Sequence, residues 1–239
     1  MILYASSLNP ADCFGCKACA QICHRNAITF HADAEGFEYP VIDYTRCNAC
    51  GLCSKVCPIT TSQHENCEQQ KCYAAKALNL ATARKSSSGG VFSVLAEHIL
   101  AKNGVVFGAA YQQDWGVKHE PAFDQNGLQR LRVSKYVQSD IGSTFRQAKE
   151  YLNKGVEVYF SGTPCQIAGL KSYLRRDYTN LLTSDIVCHG TPSPKIWFEY
   201  IMHISAGHPI SAVSMRKTDG WEYIMHISAG HPISAVSMR

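Results

Sequence analysis

Eight of the chain's twelve cysteines fall in two runs of identical spacing. The first is Cys13, Cys16, Cys19 and Cys23, and the second is Cys47, Cys50, Cys53 and Cys57. Each reads C-x2-C-x2-C-x3-C, and each cysteine of the second run lies 34 residues after its counterpart. That is the thiolate spacing of 4Fe–4S ligation. The first three thiolates of a run can wrap a compact loop around three corners of a cubane. The fourth lies on the helical turn that follows and points away, so it ligates the other cluster of a pair. The expected sets are Cys13, Cys16, Cys19 and Cys57 for one cluster, and Cys47, Cys50, Cys53 and Cys23 for the other. Gly15 and Gly51 suit loops whose backbone comes close to sulfur.

Other cysteine chemistries fit this pattern less well. Zinc sites pair two cysteines with two more a dozen or more residues away. Disulfide frameworks suit short secreted chains. The thiol content points to a reducing cytoplasm, and Met1 to Pro10 lacks the charged and apolar regions of a signal peptide. The net charge is +4 with every thiol counted neutral, and no basic run is interleaved with aromatics, so nucleic acid is not an expected partner. No apolar stretch approaches the length of a membrane span. One asymmetry stands out: Pro58 follows the last cysteine of the second run, while His24, which keeps its N–H, follows that of the first.

Between the runs, Ile28 and Phe30 face Phe37, Tyr39 and Val41 across a turn at Asp33 to Gly36, a hairpin expected to pack over the clusters. Polar residues after Ile59 read as a linker. Ser86-Ser87-Ser88-Gly89-Gly90 then opens a helix with Val91, Val94, Leu95 and Ile99 on its apolar face, closed by Asn103-Gly104. Serines and glycines at a helix start present donors that suit a phosphate or carboxylate, although ordinary caps use the same residues. Val105 to Tyr111 and Val117 to Phe123 read as strands, and Asp124 to Gly127 as a turn. A helix with Phe145, Ala148 and Leu152 on one face ends at Gly155.

Residues 156–190 form the clearest βαβ unit. Val156 to Phe160 is a strand, Thr163 an N-cap with Pro164 at the first helical position, and Leu181 to Val187 the return strand. Parallel pairing would bring Cys165 and the Cys188-His189-Gly190 loop to the carboxyl edge of the sheet, where open α/β folds bind ligands. A buried cysteine and a capping histidine are the alternative. Pro192-Ser193-Pro194 starts a further helix through Ile204. Glu199 to Arg216 then recurs unchanged as Glu222 to Arg239, displaced by 23 residues. Two copies do not make a solenoid. The second reads as an accident of the gene, expected to dock loosely and to leave Ile224, Ile227 and Ile233 more exposed than Ile201, Ile204 and Ile210.

Taken together, the motifs resemble the family of coenzyme F420 hydrogenase beta subunits and their dehydrogenase relatives, which include 7-hydroxymethyl chlorophyll a reductase. They are the double cysteine run, Ser86 to Gly90, Ser134-Lys135-Tyr136-Val137-Gln138-Ser139, Gly162-Thr163-Pro164-Cys165-Gln166, and Val187 to Pro194. The resemblance covers roughly residues 10 to 221. It implies an α+β chain with a bacterial-ferredoxin-like domain at 1–62, a linker at 63–72, and an incomplete α/β flavin-binding domain at 73–221, with 222–239 as the duplicated tail. It implies two 4Fe–4S clusters and FAD, and F420 in some members. Ser87, Ser88, Gly89, Gly90, Ser134, Lys135, Tyr136, Ser139 and Thr163 then fall in the FAD region, with Lys135, Cys165 and His189 as polar groups near the reacting ring. The implied partners are a ferredoxin or another redox subunit and a small-molecule redox substrate. The competing expectation is a plain electron carrier whose shortened second domain holds no flavin.

Overall fold

The computed structural model describes residues 12–60, 71–215, 224–227 and 236–237. The two cysteine runs fold alike. Gly15 and Lys17 in the first, and Ala49 and Gly51 in the second, take φ of 64°, 59°, 55° and 71°. These left-handed positions keep the 34-residue offset of the cysteines. A left-handed backbone costs a residue with a Cβ about 1–2 kcal/mol, so Lys17 and Ala49 hold it because the loop demands it. Each loop runs into a short helix, α1 (Ala18–Ile22) and α2 (Leu52–Lys55). Between them β1 (Ile28–Ala32) and β2 (Glu38–Ile42) form the expected antiparallel hairpin, with Phe30 opposite Pro40. The Asp33 carboxylate closes its turn, accepting from the N–H groups of Glu35 and Phe37 at 2.9 Å each.

After α3 (Leu80–Arg84), the serine–glycine segment opens α4 (Val91–Ala101). The buried stripe of α4 is only in part the one expected. Val91 and Val94 are each 45% exposed, while Ile99 is buried and Leu95 packs against the core as expected, and Ser93 and Ala96 take the inward places of the two valines. The reason is polar: buried Arg132 donates to Ser93 Oγ at 3.2 Å and to Glu97 at 2.6 Å, which rotates this face of the helix toward it. The turn expected at Asp124 to Gly127 is instead the start of α5 (Gln125–Leu131). Asp124 is its N-cap, accepting from the Gly127 N–H at 2.7 Å. Residues that favour turns also cap helices. Burial of Leu128 and Leu131, one helical turn apart, favours the helix.

One four-stranded sheet has the order β4-β3-β5-β6. It comprises β3 (Val105–Tyr111), β4 (Val117–Ala122), β5 (Val158–Gly162) and β6 (Leu181–Asp185). β3 and β4 are an antiparallel hairpin, while β3–β5 and β5–β6 are parallel. β6 ends at Asp185, paired with Gly162 at the tip of β5, and the two residues expected to extend it, Ile186 and Val187, are exposed. Alternation along the strands splits the core. Val106 and Tyr159 face α4 and α5. Val105, Phe107, Val158 and Phe160 face α6 (Thr144–Asn153) and α7 (Pro164–Leu174). Ala18 and Val56, from the two cysteine loops, belong to this second cluster and are fully buried. The loops therefore share a core with the sheet.

A third cluster joins Val117 and Val137 to Trp197 and Ile201 of α8 (Pro194–Ser205). Ser193 caps α8, and its hydroxyl donates to the Glu35 carbonyl at 2.5 Å. Beyond it, the duplicated segment adopts two structures. Ile201-Met202-His203-Ile204 is helical, whereas the identical Ile224–Ile227 is a strand, β8, between β7 (Val213–Ser214) and β9 (Val236–Ser237). The first copy inherits its helix from the cap at Ser193 and Pro194; the second has neither ahead of it. The expected exposure of Ile224, Ile227 and Ile233 concerns side chains outside the described residues.

Candidate functional site

Cys13, Cys16, Cys19 and Cys57 line one pocket, with Phe14, Phe30, Pro40, Pro58 and Ile59 around them. This is the ligand set expected for the first cluster, fourth cysteine from the other run included. Among the described residues no three His, Cys, Asp or Glu side chains are set to hold a single metal ion. Soft thiolates are the ligands of a 4Fe–4S cubane. Burial pushes the Cys16 thiol up to about 12 and Cys19 well above its ordinary value, with neighbouring thiols adding to both. Backbone N–H groups oppose this, from Gly15 on Cys13 and from Ala18 on Cys16. The second run repeats the device, the Ala49 N–H meeting Cys47 Sγ at 3.4 Å. Its loop is more open, and Cys50 is exposed. Cys53 contributes to the potential at Cys19, so the two sites adjoin.

The first loop is held against the sheet domain at four points. A Cβ on Gly169 of α7 would sit 3.0 Å from both Cβ and Sγ of Cys16, so the helix comes this close only because it carries glycine there. A Cβ on Gly15 would meet Gln138 Nε2 at 2.6 Å. Lys17 bridges Glu38 at 2.6 Å and Asp140 at 2.7 Å. Burial pulls the Lys17 ammonium down, but these two carboxylates outweigh it and the net shift is upward. Gln21 Oε1 accepts from the N–H groups of Phe145 and Arg146 at 3.1 and 3.2 Å. None of these contacts is visible in the spacing; only Gln138, inside a family motif, carried a signal.

The segments expected to hold a flavin meet, and much of their polarity is already engaged. Ser134 N–H donates to Ser87 Oγ at 3.0 Å across 47 residues. Ser86 bonds the Thr82 carbonyl at 2.7 Å and Ser93 at 2.5 Å. Gly89 passes too close to Ala75 for any side chain, and its carbonyl accepts from Ala77 N–H at 2.6 Å. Ser88 and Gly90 take φ of 53° and 74°. Tyr136 N–H reaches Met215 Sδ at 2.9 Å. Lys135 Nζ donates to the carbonyls of Arg132, Val133 and Leu131 at 2.7, 3.2 and 3.4 Å. Burial brings its ammonium down to about 7.

Ser139 belongs to a directional chain that the sequence did not reveal. His119 Nε2 faces the Ser161 carbonyl at 3.0 Å, so Nε2 carries the proton. His119 Nδ1 then accepts from Ser139 Oγ at 2.8 Å, and Ser139 Oγ accepts from Gln166 Nε2 at 2.9 Å. Gln166 Oε1 accepts from the Thr163 N–H at 2.9 Å, capping α7. Burial takes the His119 imidazole down to about 4, so the ring is neutral and stacks on Phe160. An unfolded chain takes up this proton first as pH falls, so the stability from His119 is full above about 6.5 and declines toward about 4. Ser139→Ala strands Nδ1 and costs about 1–3 kcal/mol in chemical denaturation at neutral pH. Cys165 Sγ lies 3.1 Å from Thr163 Oγ1 and adds to the potential at Cys13 and Cys16, which places it beside the first cluster site. His189 is exposed on the loop after β6. Both stand at the carboxyl edge of the sheet, and no hydrogen bond joins them among the described residues.

Fold and site define a ferredoxin-type dicluster protein built onto an α/β sheet. Residues 12–61 match the family described as 4Fe-4S dicluster domain, and residues 156–234 match the family described as the C terminus of the coenzyme F420 hydrogenase/dehydrogenase beta subunit. These two matches, in this order along the chain, bear out its resemblance to coenzyme F420 hydrogenase/dehydrogenase beta subunits that carry a 4Fe–4S dicluster domain ahead of the matched segment. It is 25% identical over 170 residues to the F subunit of F(420)H(2) dehydrogenase from Methanosarcina mazei, covering 64% of this chain and 46% of that protein. It is 30% identical over 56 residues to ferredoxin-type protein NapF of Haemophilus influenzae, covering 23% of this chain and 32% of that protein. The chain thus spans less than half the length of these curated relatives. A solved structure of the F420-reducing NiFe hydrogenase complex from Methanosarcina barkeri matches in fold, with TM-score 0.51 and 19% identity over 69% of this chain and 60% of that one. No helix among the described residues is long and apolar enough to cross a membrane.

Proposed function

We propose that this chain is an iron–sulfur flavoprotein subunit that relays electrons between two 4Fe–4S clusters and FAD, serving a small-molecule redox substrate such as F420. The eight cysteines are the cluster ligands, in the crossed sets given above. The supporting observation is the packing of the first cysteine loop on the sheet domain: Gly169 touches Cys16, and Gln138, inside the motif that meets Ser87, touches Gly15. A cluster there would lie next to the segments assigned to FAD. Ser87, Ser88, Gly89, Gly90, Ser134, Lys135, Tyr136, Ser139 and Thr163 are the residues proposed to shape that site. Ser139 does so through His119 and Gln166, as a positioning residue. A bound flavin would supply the coupling between one-electron and two-electron chemistry. Lys135 would hold or release a proton near neutrality, given where burial sets it. Cys165 would tune the field at the first cluster, and His189 would face incoming substrate.

The test is a visible spectrum of cluster-reconstituted protein before and after FAD is added, followed by desalting. Flavin bands that survive desalting are expected. Cluster absorption alone would favour the electron-carrier reading, in which this domain holds no flavin.

A further inference from the structure

We propose that electrons cross the surface of this protein at the Cys47 run, and that the partner is an acidic one-electron carrier protein docking on Arg25, Arg46 and Lys55. The inference rests on the cluster reading of both runs. The first run is enclosed by the hairpin, α7 and the Gln138 segment, whereas residues 43–46 and 48–50 of the second are exposed. Tyr44 is 73% exposed beside it, an aromatic contact of the kind enriched at interfaces. Through-protein transfer therefore runs from an open site to an enclosed one that touches the sheet domain.

Charge divides the two sites in the same way. Lys17, the cation of the first loop, is committed to two carboxylates. Arg25 lies two residues after Cys23, Arg46 one before Cys47, and Lys55 two after Cys53, so all three border the second ligand set. All three are exposed, and Arg25 Nε donates to the Arg46 carbonyl at 3.3 Å, which holds two of them together. The acidic residue next to them in sequence is Asp43, whose exposed carboxylate accepts from the N–H and hydroxyl of Thr45 at 2.9 and 2.6 Å and offsets part of the charge of Arg46, so three cations against one carboxylate leave the rim positive. A positive rim around an exposed redox site steers an anionic partner and orients it.

The experiment compares reduction of the cluster-loaded full chain by two donors in stopped flow: a reduced acidic plant-type ferredoxin and reduced methyl viologen. The variant is the triple charge reversal Arg25→Glu, Arg46→Glu and Lys55→Glu, with Lys154→Glu, at the end of α6, as control. The triple variant should be reduced by ferredoxin at least about tenfold more slowly at low salt. It should also lose the decline in rate with salt that the parent shows, and keep or raise its rate with methyl viologen. The control should match the parent. An unchanged ferredoxin rate would overturn the proposal. So would equal slowing with both donors, since the cations would then act on cluster potential. An iron content short of two clusters in the parent would overturn the cluster reading, and the docking proposal with it.

Discussion

Cys57→Ser removes the cluster of the Cys13 run and leaves that of the Cys47 run in place; Cys23→Ser does the reverse. The crossed pattern is expected because Cys57, remote in sequence, lines the same pocket as Cys13, Cys16 and Cys19. A serine oxygen is a harder and shorter ligand than a thiolate, and iron–sulfur sites are built on thiolates. Iron counts should fall by half in each variant. Paramagnetic resonance of the reduced proteins should show different surviving signals. If both variants lose the same signal, or if Cys57→Ser perturbs the cluster of its own run, the assignment is wrong.

The other large effect is expected far in sequence from both cysteine runs. Gly169→Val places atoms 3.0 Å or less from Cys16, and neither wall can retreat freely. Leu170 anchors α7 in the core, and Gln21 and Lys17 anchor the loop. Overpacking of this kind costs about 1–3 kcal/mol, concentrated at the first cluster site. The Cys13 cluster should be lost or loosened while the Cys47 cluster survives, with a lower melting temperature. Gly169→Ala is the sharper comparison. Helix propensity alone would stabilise it by about 1 kcal/mol, so a net loss reports the crowding against Cys16. A valine variant that keeps both clusters and its melting temperature would show that the contact is not tight.

What the sequence disclosed was local. Cysteine spacing set the loops, down to left-handed positions repeated in register, because cluster ligation is a short-range geometric demand. The unit from β5 to β6 was legible because Thr163 and Pro164 mark a helix start and Val156 to Phe160 reads as a strand, although the strand formed lies two residues further on, at Val158–Gly162. The losses are long-range. The inward face of α4 turns on Arg132, 39 residues from Ser93. Asp124 could open a turn or a helix, and burial of Leu128 settled it. Gly169 looked like any glycine in a helix until Cys16 arrived from 153 residues away. The duplicated Ile-Met-His-Ile segment makes the same point most directly: one tetrapeptide, helix in one place and strand in the other.

The bonds through His119 form a belt. It leaves the backbone at the Ser161 carbonyl, passes through imidazole, hydroxyl and amide, and returns at the Thr163 N–H, two residues on. Every donor in it points the same way round, and both ends are peptide groups that neither release nor take up a proton near neutral pH. A proton wire must be able to reverse its polarity and must open onto a source and a sink. This belt does neither, so it insulates. Its one imidazole, a group commonly recruited for acid–base work, is fastened as a strut across the end of β5, and any proton that accompanies electrons through this domain has to travel by another road.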